Sequence, residues 1–261
     1  MSVASPRSGD TQRARPIATN PGLDWQPLKP RTLVDSVIEA VIAAAASGKI
    51  LPGDRIVEAD LAQGLGISRV PVREALRILE SQGLVVNEPY KGIRLRPVTQ
   101  ERIDHLIETR IALETSAAAR GMRAGRNGAA ELDILSRHVD ELDLMRTRRD
   151  AYGFASADTA FHRALCQLSG NHVLCDLWEM LSRQLTIVIG LSTLGKSMAD
   201  IVDEHRRLLG VFASGDIDRM AHALDEHINV QTHAVDFLSI IARRRSERSA
   251  IYSSAPRHTS R

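Results

Sequence analysis

The chain is poor in aromatic side chains, which make up only 3% of its 261 residues. That scarcity argues against an RNA-binding module built on aromatic stacking platforms. Long apolar runs are absent too. Segments 41–46 and 187–189 fall far short of the roughly 18 residues that a membrane span needs. The N-terminus carries arginines but no apolar core of a secretory signal. Only two cysteines occur, Cys166 and Cys175, and their spacing makes neither a CxxC pair nor a disulfide framework. A cytoplasmic protein with no membrane segment is expected.

Hydrophobic residues account for 43% and charged residues for 25%, the profile of a globular chain. The length suits one large or two ordinary domains. The net charge of +2 is unevenly spread: +2 over 1–29, +1 over 30–97, −5 over 98–243 and +4 over 244–261. A polyanionic partner would avoid the acidic block. Histidine divides the chain the same way, since eight of nine lie within 98–243. The boundaries that follow are a disordered arm over 1–28, a small module over 29–97, a large one over 98–243 and a basic flexible tail over 244–261.

In the small module, Leu33, Val34, Val37, Ile38, Val41 and Ile42 fall at helical spacing. Gly48 closes that helix, and Leu51-Pro52-Gly53-Asp54 makes a turn. A second helix near 58–65 turns Leu61, Ala62 and Leu65 inward and stops at Gly66. A third begins at the N-cap Ser68, with Pro71 tolerated in its first turn. It buries Val72, Ala75, Leu76 and Leu79, while Arg69, Arg73 and Arg77 line its other face. The order is that of a helix-turn-helix whose third helix reads the major groove. After Gly83 the period changes to that of a β-hairpin turning over 87–92. Ile93 and Leu95 then face in, and Arg94 and Arg96 face out. Lys91 and Gly92 at the tip suit a close approach to a sugar-phosphate backbone.

These residues resemble the winged-helix signature of the GntR family of bacterial transcription regulators. The resemblance is carried by Leu51-Pro52-Gly53-Asp54-Arg55, Asp60-Leu61-Ala62, the run from Leu65 to Leu76 (LGISRVPVREAL) and Gly83-Leu84-Val85. It implies that Arg69 and Arg73 contact the major groove, and Lys91 and Gly92 the minor groove. Ala59 stands where relatives carry a DNA-contacting arginine, which leaves Arg55 as a neighbouring candidate.

Residues 98–243 read as helix almost throughout, over 100–120, 129–149, 151–168, 171–191, 199–213 and 217–241. The fold class expected is therefore mainly α: an N-terminal winged helix-turn-helix plus a C-terminal all-α antiparallel bundle. Asp158 and His162 are four apart on one helix face, and His205 and His227 sit on two further helices. One carboxylate and three imidazoles could converge on a divalent ion. By counting alone His222 and His233 are equally available, while His105, His138 and His172 read as surface or core.

This half resembles the FCD ligand-binding domain, the usual partner of a GntR winged helix in the FadR branch. The resemblance rests on Arg110-Ile111-Ala112-Leu113-Glu114, Asp158-Thr159-Ala160-Phe161-His162, Gly170-Asn171, Glu204-His205 and the stretch from Gly215 to His227. It implies Asp158, His162, His205 and His227 as the metal ligands and excludes His222 and His233. Such a set departs from the metal-free, acyl-CoA-binding founder and implies a metal-dependent relative. Zinc is favoured on abundance, with Ni, Fe or Mn as alternatives. A five- or six-coordinate ion would keep positions open for a small organic acid. Arg110 would be a second anchor for that acid, or merely the helical partner of Glu114. Asn171 would be a ligand contact or a helix cap.

The expectation is a non-enzymatic, DNA-binding regulator, a repressor in the commoner family mode. A homodimer would meet a palindromic operator, controlled by a carboxylate effector at the metal. One alternative is a regulator whose signal is the ion itself. A metalloenzyme is the other, but there is no HExxH motif, and spacing assembles no nucleophile with a base.

Overall fold

The computed structural model describes residues 32–254. The arm expected over 1–28 and the last part of the expected tail, 255–261, lie outside the described residues.

Helix α1 (Leu33–Ala46) begins with a reciprocal capping box between Thr32 and Asp35. Its apolar stripe, Val37, Ile38, Val41 and Ile42, is buried as the spacing predicts. Helix α2 (Glu58–Leu65) ends where Gly66 takes a left-handed φ of 67°. Helix α3 (Arg69–Ser81) starts at Ser68, but that hydroxyl makes no capping bond. Leu65, expected inside, is 39% exposed, because α2 is only two turns long and Ala62 supplies its buried face. Strands β1 (Val85–Glu88) and β2 (Gly92–Leu95) pair antiparallel, with Val85 opposite Leu95 and Glu88 opposite Gly92. The turn before α2 joins the same ladder: Gly53 N and Ile56 N donate to Leu95 O and Ile93 O. Inside this wing Leu95 is buried and Ile93 only half-buried. Arg94 does not project freely as expected, since its guanidinium donates to Gly53 O at 2.8 Å.

The remaining chain is helical: α4 (Gln100–Arg123), α5 (Ala129–Arg148), α6 (Ala151–Gln167), α7 (His172–Ser192), α8 (Met198–Ser214) and α9 (Ile217–Asp225). The last stretch is not the single helix expected over 217–241. A π-turn (Glu226–Val230) follows α9, then the short α10 (Gln231–His233), then α11 (Phe237–Ser254). The basic residues read as a flexible tail are helical as far as Ser254. Their guanidiniums explain this: Arg245 donates to Pro52 O, and Arg248 reaches Asp54 Oδ2 at 2.6 Å and Lys49 O at 3.3 Å. Four aromatics, Trp178, Phe154, Phe161 and Phe212, are the largest fully buried side chains of the bundle.

The two segments read as separate modules share one hydrophobic core. Helix α1 packs on α7 and α6 as well as on α3, and Tyr152 of α6 donates to the Glu39 carboxylate of α1. The α1–α7 contact depends on Gly190, where an added Cβ would lie 2.6 Å from both Ala46 Cβ and Ala46 O. Backbone cannot give way as a flexible side chain can. Gly190→Ala is therefore expected to destabilise the protein by about 1–3 kcal/mol, read as a lower denaturant midpoint. An unchanged midpoint would mean that the two helices separate at little cost.

Candidate metal centre and nucleic-acid interface

The exposed side of α3 holds Arg69, Arg73 and Arg77 with Ser68 at its N-terminus, and all four are solvent-exposed. Arg73 forms a 3.2 Å ion pair with Glu58 of α2, which draws its guanidinium toward the preceding helix. At the wing, Lys91 pairs with Glu88 at 3.1 Å. Gly92 has a φ of 77°, and a Cβ there would sit 3.5 Å from Arg55 Nε. Arg55, itself exposed, thus lies against the wing tip. Tyr90, which sequence reasoning passed over, projects fully from the same tip with a left-handed φ of 65°. Its position between two short strands is the signal that could have found it. Arg94, unlike the exposed arginines of α3, is half-buried and donates to Gly53 O.

The second site lies in the bundle. An Asp150 cap starts α6, and one turn of helix separates Asp158 from His162. Helix α8 supplies His205, and the π-turn supplies His227. A π-turn adds a residue to the helical repeat and re-aims the side chains within it. His162 Nε2 and His227 Nε2 stand 3.1 Å apart, and His205 Nε2 is 3.2 Å from Asp158 Oδ2. One donor atom from each of the four residues lies within 4.8 Å of the others. Ligands about 2.1 Å from a tetrahedral metal are themselves roughly 3.4 Å apart.

The outer contacts decide which nitrogens face inward. His162 Nδ1 meets Glu114 Oε2 at 2.6 Å, and His205 Nδ1 meets the Ile201 carbonyl at 2.8 Å. A carboxylate and a carbonyl only accept, so each Nδ1 carries the proton and each Nε2 turns a lone pair to the centre. His227 Nδ1 lies 3.3 Å from Glu204 Oε2, which Lys196 holds at 3.1 Å. Burial, then the charges of neighbouring Arg110 for His162 and of the other two histidines for His227, pushes both imidazoles below the ordinary histidine value. They are neutral near pH 7, as metal ligands must be. Burial would raise Asp158, but His205, His162 and Arg110 outweigh it and hold the carboxyl below the usual range. Among the described residues, Asp158 Oδ1, His205 Nε2 and Arg110 Nη2 are buried without a hydrogen-bond partner. A buried polar atom so placed is costly, and a cation between the lone pairs would satisfy two of the three. The donor set fits a divalent metal.

A small cavity of about 40 Å³ adjoins this centre, lined in part by Arg110, Asp158, Ser192, Lys196, His227 and Thr232. Arg110 makes the helical pair with Glu114 that the spacing offers. Its Nε pairs with Glu114 Oε1 at 2.7 Å, and its unpartnered Nη2 lies 4.0 Å from Asp158 Oδ1. Asn171 is a helix cap, accepting from Leu174 N at 3.2 Å, and does not line the cavity. His222 lies in an open groove and His233 pairs with Asp104 on the surface, so neither joins the four. Sequence reasoning undervalued Glu114, whose two oxygens serve Arg110, Trp178 and His162 together. Lys196 and Glu204 were likewise missed as a pair, because spacing across a helix start carries no contact signal.

Residues 33–95 match the bacterial regulatory proteins of the gntR family, and residues 105–230 match the FCD domain. The chain is 26% identical over 197 residues to the probable D-xylose utilization operon transcriptional repressor of Paenarthrobacter nicotinovorans, covering 76% of this chain and 86% of that protein. It is 30% identical over 164 residues to the uncharacterized HTH-type transcriptional regulator YdhC of Bacillus subtilis (strain 168), covering 62% of this chain and 72% of that protein. Among solved structures, the fold is similar to that of E. coli McbR/YncC, with a TM-score of 0.65 at 21% identity over 82% of this chain and 99% of that one. Among the described residues no helix is long and apolar enough to cross a membrane. With a winged helix in front and an FCD domain behind it, the chain belongs to the GntR family of DNA-binding bacterial transcription regulators.

Proposed function

We propose that the protein is a cytoplasmic, homodimeric repressor whose hold on a palindromic operator is controlled by a small carboxylate bound at a divalent metal in the FCD domain. The carrying observation is the convergence of three imidazoles and the Asp158 carboxylate beside a small cavity lined by Arg110, whose buried Nη2 has no hydrogen-bond partner. Asp158, His162, His205 and His227 hold the metal, which supplies Lewis acidity for an incoming carboxylate; zinc suits the set, and nickel, iron or manganese is an alternative. Arg110 then donates to the same carboxylate. Arg69, Arg73 and Arg77 meet DNA in the major groove, while Lys91, Gly92 and Arg55 approach the backbone at the wing. On α7, Val173, Leu177 and Met180 share one exposed face, which suits a second copy of the chain.

Helix α11 gives the cavity a route to the DNA-binding module. Phe237 at its start lines the cavity, Arg243 donates to Leu194 O, and Arg245 and Arg248 grip the turn beside the wing. An effector that displaces Phe237 or Lys196 shifts the element on which the wing is anchored, and its differential affinity for the two arrangements sets the regulation.

The test is a melting screen against small metabolic acids, run metal-loaded and chelated in parallel. A ligand at 100 times its Kd adds about 2.7 kcal/mol. Acids that stabilise only the loaded form, and that also release a labelled operator, are expected. Stabilisation by metal with no response to any acid would instead make the ion itself the signal.

A further inference from the structure

The tip of the wing carries a side chain that contacts within the protein do not account for. Of the aromatic side chains described, Tyr90 alone is exposed, while Trp178, Tyr152 and the phenylalanines are buried or half-buried. Its ring projects fully into solvent and makes no hydrogen bond or ring contact among the described residues. The backbone beneath it is strained. Lys91 N donates to Glu88 O at 3.0 Å, closing a four-residue turn with Pro89 in second place and Tyr90 in third. A φ of 65° at that third place suits Gly or Asn, whereas a bulky side chain there is an outlier. Nothing within the protein offsets the strain or the exposed ring, and such strain gathers where function imposes it.

The surroundings of the ring point to its partner. Lys91 beside it is exposed although paired with Glu88, and exposed Arg55 lies against Gly92 at the same tip. Three residues on from Arg55, Glu58 pairs with Arg73 of α3. The short segment 55–58 therefore joins the wing tip to the arginine face of α3 and puts both on one side of the molecule. With α3 in the major groove, a hairpin beside it meets the neighbouring minor groove across one phosphate backbone. That groove is about 6 Å wide, enough for a flat ring edge-on. Its A·T pairs present only acceptors, whereas each G·C pair adds the guanine 2-amino group, which stands in the path of an entering ring. Lys91 and Arg55 favour the same A·T segments, because a narrow minor groove concentrates negative potential.

We infer that Tyr90 is a specificity-determining residue of the DNA interface. Its ring enters the minor groove next to the bases read by α3 and selects A·T over G·C there. Arg55 and Lys91 supply charge to the phosphates, while the ring supplies sequence preference. The inference rests on α3 as the reading helix, which Arg73→Ala tests separately.

Binding sites of the full-length protein are selected from a pool of random DNA duplexes, and the preferred duplex is then labelled for anisotropy. Selected sites are expected to hold A·T pairs just outside the bases that Arg73→Ala ceases to read. Placing G·C there should weaken binding at least fivefold, and I·C, with inosine for guanosine, should restore it. Inosine lacks only the 2-amino group, so the two pairs are alike in the major groove. Tyr90→Asn should bind the preferred duplex at least fivefold more weakly and no longer distinguish G·C from I·C. Its denaturant midpoint should equal or exceed the parent's, since Asn tolerates a left-handed φ. Tyr90→Phe keeps the ring and should lose less than threefold. Undiminished binding by Tyr90→Asn, equal binding of the G·C and I·C duplexes by the parent, or an equal loss in Tyr90→Phe would each overturn the inference. So would a lowered midpoint in Tyr90→Asn, which would make the residue a structural one. A parent that selects no sequence at all would overturn the reading helix along with it.

Discussion

Arg73→Ala is expected to weaken specific operator binding from about fivefold to more than a hundredfold, the ~1–3 kcal/mol carried by a bidentate arginine–guanine contact. The residue lies in the N-terminal half of α3, the part of a recognition helix that reaches base edges. In the free protein it is paired with Glu58 at 3.2 Å, with 54% of the arginine side chain exposed. So open a pair contributes little stability, and DNA can take the guanidinium from it cheaply. Glu58→Ala separates the two roles: it leaves Arg73 in place and should preserve or tighten operator binding by removing a negative charge beside the phosphates. Non-specific affinity should fall far less in Arg73→Ala, with the salt dependence shallower by about one unit of slope if the residue touches phosphate instead of a base. Operator affinity equal to that of the parent, measured by fluorescence anisotropy, would remove α3 as the reading helix.

Chelation is the second large effect. A metal present at about 1,000 times its Kd adds ~4.1 kcal/mol of stability, and its removal takes the same amount away. His205→Ala should abolish the difference between loaded and chelated protein, since it deletes one of three inward lone pairs on a fully buried side chain. His222→Ala, on an exposed position in the outer groove, should leave the difference intact. Acid works in the same direction as chelation. With His162 and His227 held below their ordinary 6.5 by burial, the unfolded chain binds their protons first, so stability falls as pH drops through that value. Loss of the metal by protonation adds to the same slope. Identical melting of the loaded and chelated protein at pH 7 would leave the four residues as a structural polar cluster.

Several features were readable directly because they depend on neighbours along the chain. The stripe Val72, Ala75, Leu76 and Leu79 is buried where the helical period puts it. Five of the six bundle helices begin and end within three residues of their expected places, because Gly, Asn and Asp mark their ends. The sixth fails for a physical reason. Apolar period alone does not register the extra residue of a π-turn, so 217–241 reads as continuous while the chain bends at His227. The basic end of the chain is misread in a related way. Arginines with no visible partner look like a solvated tail, and the partners of Arg245 and Arg248 lie near residue 50, almost 200 positions away.

The candidate centre shows the same division. The fold class, the arginine face of α3 and the i,i+4 placement of Asp158 and His162 are legible from residues near one another in the chain, while family resemblance points to His205 and His227. Tertiary structure alone decided what surrounds them. It chose the inward nitrogen of each imidazole through Glu114 and the Ile201 carbonyl, and it left Arg110 with a free edge while making Asn171 a cap. It also bound the two modules through Gly190, Gly83 and the arginines of α11. Helical period and capping are properties of residues a few positions apart, which a sequence displays. The tautomer of a buried histidine, or the partner of a distant arginine, is set by which helices pack together, and that is fixed only when the shared core forms.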